Sequence, residues 1–208
     1  MTVAIVDYGS GNLRSAAKAF ERAARESGAD SRVLVTADPR EVAAADRIVL
    51  PGVGAFADCR AGLYAVPGMV DVLQREVIDR GKPFLGICVG MQLMASRGVE
   101  YGVHRGLDWI AGDVVRIAPQ QDSRGQALKI PHMGWNEVQP SGEHYYFVHS
   151  YYVDATNSSD VMWTTTYGDV TFAAAVRREN IYGCQFHPEK SQQSGLRFLR
   201  AFLLGSRQ

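Results

Sequence analysis

Apolar residues follow a strand-then-helix rhythm through the first half of the chain. Val3 to Val6 is a short apolar run, and from Asn12 to Ser27 the residues Leu13, Ala16/Ala17, Phe20 and Ala23/Ala24 recur at helical spacing before Gly28, which can close the helix. Arg32 to Val35 and Arg47 to Leu50 read as a second and third strand with a short helix over Pro39 to Ala45 between them. The third strand runs into Pro51-Gly52-Val53-Gly54. Val70, Leu73, Val77 and Ile78 mark a further helix, Pro83 to Ile87 has the length and composition of a buried strand, and Val89 onward is again helical in spacing. This βαβαβαβα order predicts an α/β fold with a mostly parallel central sheet and helices on both faces.

The rhythm changes near Gly112. Short strands separated by turn residues are expected at Asp113 to Ile117, Trp135 to Val138, Tyr145 to Val148, Val161 to Thr166, Phe172 to Val176 and Ile181 to Phe186, some of them antiparallel. Ser191 can cap a last helix that buries Leu196, Leu199, Phe202 and Leu203. Gln120 to Gly125 is polar and reads as an exposed loop. With no repeat and no long linker, residues 1–208 are expected to form one domain.

Composition narrows the function. The chain has 208 residues, 46% hydrophobic and 21% charged, enough for a substantial core. Lys plus Arg and Asp plus Glu are both 22, so no global field recruits nucleic acid or an anionic membrane. The run Val3 to Val6 is cut off by Asp7 and lacks a basic leader, so it reads as neither a signal peptide nor a membrane span. Cys59, Cys88 and Cys184 are odd in number and without C-x-x-C spacing, which argues against disulfides and zinc and fits a reducing cytoplasm. Cys59 and Cys184 fall in a helical and a strand segment and are expected only to pack.

Cys88 stands at the join of strand and helix, within Gly86-x-Cys88-x-Gly90. This is the thiol version of a nucleophile elbow, a tight turn that strains the nucleophile's backbone and pushes its side chain outward. A Cβ at either flanking glycine would collide with neighbouring backbone, and the positive end of the following helix favours thiolate over thiol. His187-Pro188-Glu189 follows another apolar strand, so its imidazole can reach the same sheet edge and exchange a proton with the sulfur. Glu189 can hold the ring in one tautomer. Pro51-Gly52-Val53-Gly54 offers backbone N–H groups there as one half of an oxyanion hole, with the Val89 N–H as the other. Gln92 lies one helical turn beyond Cys88 and can hydrogen-bond a polar substrate side chain.

Gly86-Ile-Cys88-Val-Gly-Met-Gln92 together with Gln185-Phe-His187-Pro-Glu189-Lys190-Ser191 resembles the class I (triad) glutamine amidotransferases. Asp7-Tyr-Gly-Ser-Gly-Asn12, Pro51-Gly-Val-Gly-Ala-Phe56, Pro131-His-Met-Gly-Trp-Asn136 and Tyr146-Phe-Val-His-Ser-Tyr151 narrow the likeness to the glutaminase subunits of imidazole glycerol phosphate synthases of histidine biosynthesis. The resemblance implies a flavodoxin-like sheet with added antiparallel strands in the C-terminal half, and hydrolysis of L-glutamine through a glutamyl thioester on Cys88. It implies His187 as acid and base, Glu189 as its orienting partner, and Gly52, Gln92, Ser150 and Tyr151 around the substrate. Ammonia would pass to a separate (β/α)8-barrel cyclase subunit in a heterodimer, with Asn12, Met133, Trp135, Tyr146 and Lys190 near the interface or ammonia exit. The Gly52-Val53 peptide would turn to complete the oxyanion hole when the cyclase is occupied. No metal or cofactor is implied, and the chain leaves no segment for an acceptor-substrate domain. Pro119 to Leu128 matches no functional motif.

Three other readings compete. A cysteine peptidase of similar class would carry histidine directly after the cysteine, where Val89 stands. A glutaminase for pyridoxal phosphate, tryptophan or nucleotide synthesis would share Cys88, His187 and Glu189 but lack Pro131-His-Met-Gly-Trp-Asn136. A catalytically silent binding module is opposed by the complete triad.

Overall fold

The computed structural model describes residues 1–28, 31–118 and 128–205. The polar segment expected as a loop at Gln120 to Gly125, and all of Pro119 to Leu128 but its last residue, lie outside them. Strands β1 (Thr2–Val6), β2 (Arg32–Thr36), β3 (Arg47–Gly52) and β4 (Phe84–Cys88) alternate with helices α1 (Leu13–Glu26), α2 (Pro39–Ala44), α3 (Phe56–Ala65) and α4 (Met69–Leu73). The helix after β4, α5 (Val89–Gln92), is a single turn. The main sheet is completed by β11 (Val161–Tyr167), β12 (Val170–Arg178) and β13 (Ile181–Cys184), in the order β11-β12-β13-β4-β3-β1-β2. Strands from β13 to β2 run parallel, whereas β11 and β12 form an antiparallel edge.

Burial explains the element pattern. Val3 to Val6, Ile48 to Leu50 and Phe84 to Leu85 are fully buried, as central parallel strands covered on both faces must be. Helix α1 buries Ala16, Phe20, Ala23 and Ala24 and packs against the last helix α6 (Gln192–Leu204), which buries Leu196, Leu199, Phe202 and Leu203. Helix α4 packs against α2 and α3 and continues into a π-helical segment, Gln74–Asp79, whose Glu76 is buried among Arg75, Arg80 and Lys82. No helix among the described residues is long and apolar enough to cross a membrane.

Of the two smaller sheets, one differs from expectation and the other falls on predicted strands. Strands β5 (Ala95–Gly98), β6 (His104–Arg105), β7 (Ile110–Arg116) and β10 (Tyr151–Ala155) form a four-stranded sheet in the order β10-β7-β5-β6, of which the sequence pattern predicts only β7. The helix expected from Val89 onward stops after one turn because the chain turns into β5. Residues 84–95 are all buried, so their apolar pattern carries no period with which to choose helix or strand. Strands β8 (His132–Val138) and β9 (Glu143–His149) pair as a hairpin. Ser191 precedes α6 but does not cap it with its side chain; its hydroxyl donates to the His187 carbonyl (2.7 Å) and accepts from Tyr146 N–H (2.9 Å).

The elbow requires its glycines for steric reasons. A Cβ at Gly90 would lie 1.8 Å from the Leu50 carbonyl oxygen, and one at Gly86 would lie 2.6 Å from the Gly90 oxygen. Replacing Gly90 with alanine therefore forces α5 away from β3. Gly90→Ala is expected to lose about 3 kcal/mol or more of stability, and wild-type thermal unfolding of that variant would contradict the packing argument.

Candidate active site

Cys88 ends β4 with φ 53° and ψ −110°, a left-sided backbone conformation that a non-glycine residue adopts only under constraint. The constraint is the register of three parallel strands: Gly52 stands opposite Cys88 on β3, and Cys184 stands opposite Ile87 on β13. The chain beyond β13 therefore passes beside the sulfur, and His187 and Cys88 line the same cavity. His187 Nδ1 lies 2.8 Å from Glu189 Oε1, and both side chains are 3% exposed. Nε2 is then the atom left for the sulfur. A 3₁₀ turn, Pro188–Lys190, carries Glu189, and the turn is tied to β9 by His187 N–H to the Tyr146 carbonyl (2.9 Å) and by the Ser191 hydroxyl.

Burial alone would lower the basicity of His187. The hydrogen bonds and negative charges of Cys88 and Glu189 outweigh it and raise the ring well above the ordinary histidine value. Burial raises Cys59 and Cys184 above the ordinary thiol value, so neither is ionised at neutral pH.

A cavity of about 270 Å³ opens onto the sulfur. Of the residues expected around a substrate, Gln92, Ser150 and Tyr151 line it together with Cys88, Val89 and His187; Gly52 does not, and Gly54 takes that place. Gly52 is buried behind the wall, where a Cβ would meet the Tyr8 hydroxyl at 2.7 Å. Glu100, in the loop after β5, also lines the cavity, and one of its oxygens accepts from Phe56 N–H at 2.8 Å. Sequence reasoning missed it because a single carboxylate in a loop carries no spacing signal.

The expected oxyanion donors are not equivalent. Val89 N–H is the first amide of α5 and has no acceptor in its own helix. Val53 N–H instead donates to Ser10 Oγ at 3.2 Å, while the Ser10 hydroxyl donates to the Val53 carbonyl at 2.7 Å. Cys59 Sγ lies 3.2 Å from that carbonyl oxygen and from Ser10 Oγ, so this thiol does more than pack. In this structure one half of the expected oxyanion hole is turned toward Ser10.

The remaining expected positions cluster on one side. Met133 and Trp135 are 62% and 47% exposed on β8, the Trp135 ring lies 6.2 Å from Tyr146, and Lys190 Nζ stands 5.7 Å over the Tyr146 ring. Asn12 lines a narrow void with Gly52, Val53, His187 and Glu189 that has no room for a water-sized molecule. Val53 and His187 border both this void and the open cavity.

A fold of this kind, with an elbow cysteine joined to a histidine–glutamate pair, defines a class. The family model for class-I glutamine amidotransferases matches residues 4–205, and the chain belongs to that family. Solved structures agree in fold. A crystal structure of a glutamine amidotransferase superposes with TM-score 0.69 at 19% identity, covering 98% of both chains, and a glutamine amidotransferase from Thermotoga maritima gives 0.60 at 17% identity, covering 99% of this chain and 83% of that one. Much greater sequence similarity is found to the imidazole glycerol phosphate synthase subunit HisH of Brucella melitensis, 58% identical over 98% of each chain, and of Agrobacterium fabrum, 54% identical over 98% of each. Within its class the chain is a HisH-type subunit of imidazole glycerol phosphate synthase.

Two buried histidines lie beside the cavity. His132 Nδ1 and His149 Nε2 are 3.0 Å apart, and burial lowers His132 to about 4 and His149 to about 3. Their folded values lie below the unfolded value of about 6.5, so the unfolded chain takes up protons that the folded protein refuses. Their contribution is intact above pH of about 6.5 and is lost as pH falls toward 4. His187, shifted the opposite way, has its stabilisation fully present below pH of about 6.5 and loses it progressively as pH rises from there toward its raised folded value, so within this window it offsets part of the loss from the histidine pair. Urea unfolding is expected to show a loss of about 2 kcal/mol between pH of about 7.5 and 5, with a shallower slope in His149→Gln.

Proposed function

We propose that the protein hydrolyses L-glutamine to glutamate and ammonia as one domain and delivers the ammonia to a (β/α)8-barrel cyclase subunit. The observation that carries this reading is the elbow cysteine sharing one cavity with His187, whose Nδ1 is held by Glu189 at 2.8 Å. Cys88 Sγ attacks the side-chain amide carbon, and the carbonyl oxygen becomes an oxyanion facing Val89 N–H. His187 gives its proton to the departing nitrogen, ammonia leaves, and a thioester remains. Water then attacks the thioester carbon and loses a proton to His187, which returns it to the sulfur as glutamate departs. Glu189 keeps the ring in one tautomer throughout.

Substrate contacts follow from the cavity wall. Glu100 is suited to the α-ammonium group of glutamine, and Gln92, Ser150 and Tyr151 to its polar ends. Gly52 acts from behind the wall as the hinge before Val53. The Val53 amide joins the oxyanion hole once its peptide turns away from Ser10, and the same movement acts on the void lined by Asn12, the proposed ammonia exit. Exposed Met133 and Trp135, with Tyr146 and Lys190, form the proposed face toward the cyclase. Ammonia released in the cytoplasm without such a partner would be protonated and lost.

Two measurements test this. Glutamine turnover of the isolated chain is expected to be low and to rise when the cyclase and its nucleotide ligand are added, with Cys88→Ser inactive in both states; full activity of the isolated chain would sink the partner-controlled scheme. Ser10→Ala removes the acceptor that holds Val53 N–H, a bond worth about 1 kcal/mol. It is expected to raise the unstimulated kcat about fivefold with KM little changed, and an unaltered or lower kcat would show that Ser10 does not restrain the peptide.

A further inference from the structure

Gln185 lies between β13 and His187, is fully buried, and has no part in the scheme above. Its Nε2 is 3.7 Å from Cys88 Sγ, and its Oε1 is 3.1 Å from Gln92 Nε2. A buried carboxamide in contact with the nucleophile is costly unless both of its ends are satisfied. Which end faces the sulfur decides what it does.

The polarity is fixed by a backbone atom. Gln92 Nε2 lies 2.9 Å from the Tyr151 carbonyl oxygen, which can only accept, so the Gln92 nitrogen must point that way. Its second hydrogen then meets Gln185, and the atom of Gln185 that receives it must be the oxygen. The other end of Gln185, the donor, is thereby turned to Cys88. The same carbonyl receives His149 Nδ1 at 2.8 Å, which leaves His149 Nε2 to accept from His132 Nδ1 at 3.0 Å. One carbonyl thus sets the direction of the side-chain bonds that run from His132 through His149 on one side and from Gln92 through Gln185 to the sulfur on the other.

We propose that Gln185 is a further catalytic residue: its Nε2–H donates to Cys88 Sγ and stabilises the thiolate, with Gln92 and the Tyr151 carbonyl fixing the donor toward the sulfur. A thiolate accepts a hydrogen bond far more strongly than the weakly accepting sulfur of a thiol, so a donor fixed toward the sulfur favours the ionised form. The titratable groups facing the sulfur from other elements are His187 with Glu189 behind it, Tyr8 after β1, Cys59 in α3 and Cys184 on β13. Burial raises Tyr8, Cys59 and Cys184, so they stay neutral near pH 7 and leave His187 as the cation and Gln185 as the neutral donor. The strand register also accounts for the position of this residue: pairing that puts Cys184 beside Ile87 puts Gln185 beside Cys88.

The proposal rests on Cys88 being the glutaminase nucleophile, and its test reads the sulfur directly. In Gln185→Met, which keeps the volume and loses the donor, the rate of Cys88 alkylation by iodoacetamide at neutral pH is expected to fall about tenfold, and the half-maximal rate to move to higher pH. Mass spectrometry of the peptides separates Cys88 from Cys59 and Cys184. Glutaminase kcat should fall with KM within about twofold. Because iodoacetamide needs no glutamine, these results stay readable if the glutaminase reading fails. An unchanged alkylation profile, or a loss confined to KM, overturns the proposal. In the wild-type protein, where folding is not in question, the Gln185 side-chain amide proton resonance is expected to shift when Cys88 is alkylated; no shift would overturn it equally.

Discussion

The whole arrangement depends on how closely two parallel strands and one helical turn approach each other at β3, β4 and α5. With Gly52, Gly86 and Gly90 lacking side chains, the backbone of α5 lies against the Leu50 carbonyl, and Cys88 is held at positive φ between them. Strain of about 1–3 kcal/mol at such a residue persists only where the surroundings over-determine it. Here they do, because β4 is central in the sheet and fully buried along its length. The sulfur is therefore presented at the end of a central strand buried along its whole length.

Groups that act on the sulfur come from less central places, and each is tied back by a specific bond. His187 and Glu189 leave β13 on a short turn, and Ser191 joins that turn to β9 through Tyr146 N–H. This is why Ser191 is buried and does not cap α6, although its position in the sequence suits a cap. Competition between capping a helix and anchoring a catalytic turn is settled by burial, since an unanchored turn would cost the orientation of the imidazole. The hairpin that receives this bond also carries exposed Met133 and Trp135, so a surface event on β8 has a continuous covalent and hydrogen-bonded path to the triad.

Much of this was legible in the sequence, for identifiable reasons. Strands β1 to β3 and helix α1 announced themselves through short apolar runs and helical spacing, and β4 through the length of its apolar run between Pro83 and the elbow rather than through any period. The elbow, His187 and Glu189 were legible because their chemistry needs fixed spacing. Strand β5 was not, since Ala95-Ser96-Arg97-Gly98 has no apolar alternation, and β10 was hidden because it begins only two residues after His149 ends β9. Gln185, Glu100 and Ser10 were missed for a different reason: each acts through a partner distant in the chain, and no spacing encodes that. Gln185 is a polar residue closing an apolar run, and its fully buried position gives it meaning only once Cys88 is seen beside it.

In the proposed scheme, the orientation of Val53 gives the site its capacity for control. Turning the Gly52–Val53 peptide breaks the Val53 N–H bond to Ser10, whereas the Val53 carbonyl belongs to the next peptide and can keep its anchors on Ser10 and Cys59. Breaking such a bond costs about 1 kcal/mol. Supplying a missing oxyanion donor is worth about 2.7–4 kcal/mol in a transition state. The two numbers are unequal, and that inequality is what makes a switch workable. A docked cyclase needs only a small preference for the turned peptide to shift its population, yet the shifted population gains a donor that acts on the reaction itself. Gly54, at φ 98° with nothing within 4 Å of where a Cβ would stand, lets the following backbone absorb the movement without dragging α3 with it. On this proposal, a fold that sets its nucleophile at the end of a fully buried strand and lets one amide leave its Ser10 acceptor can keep glutamine intact until there is somewhere for the ammonia to go.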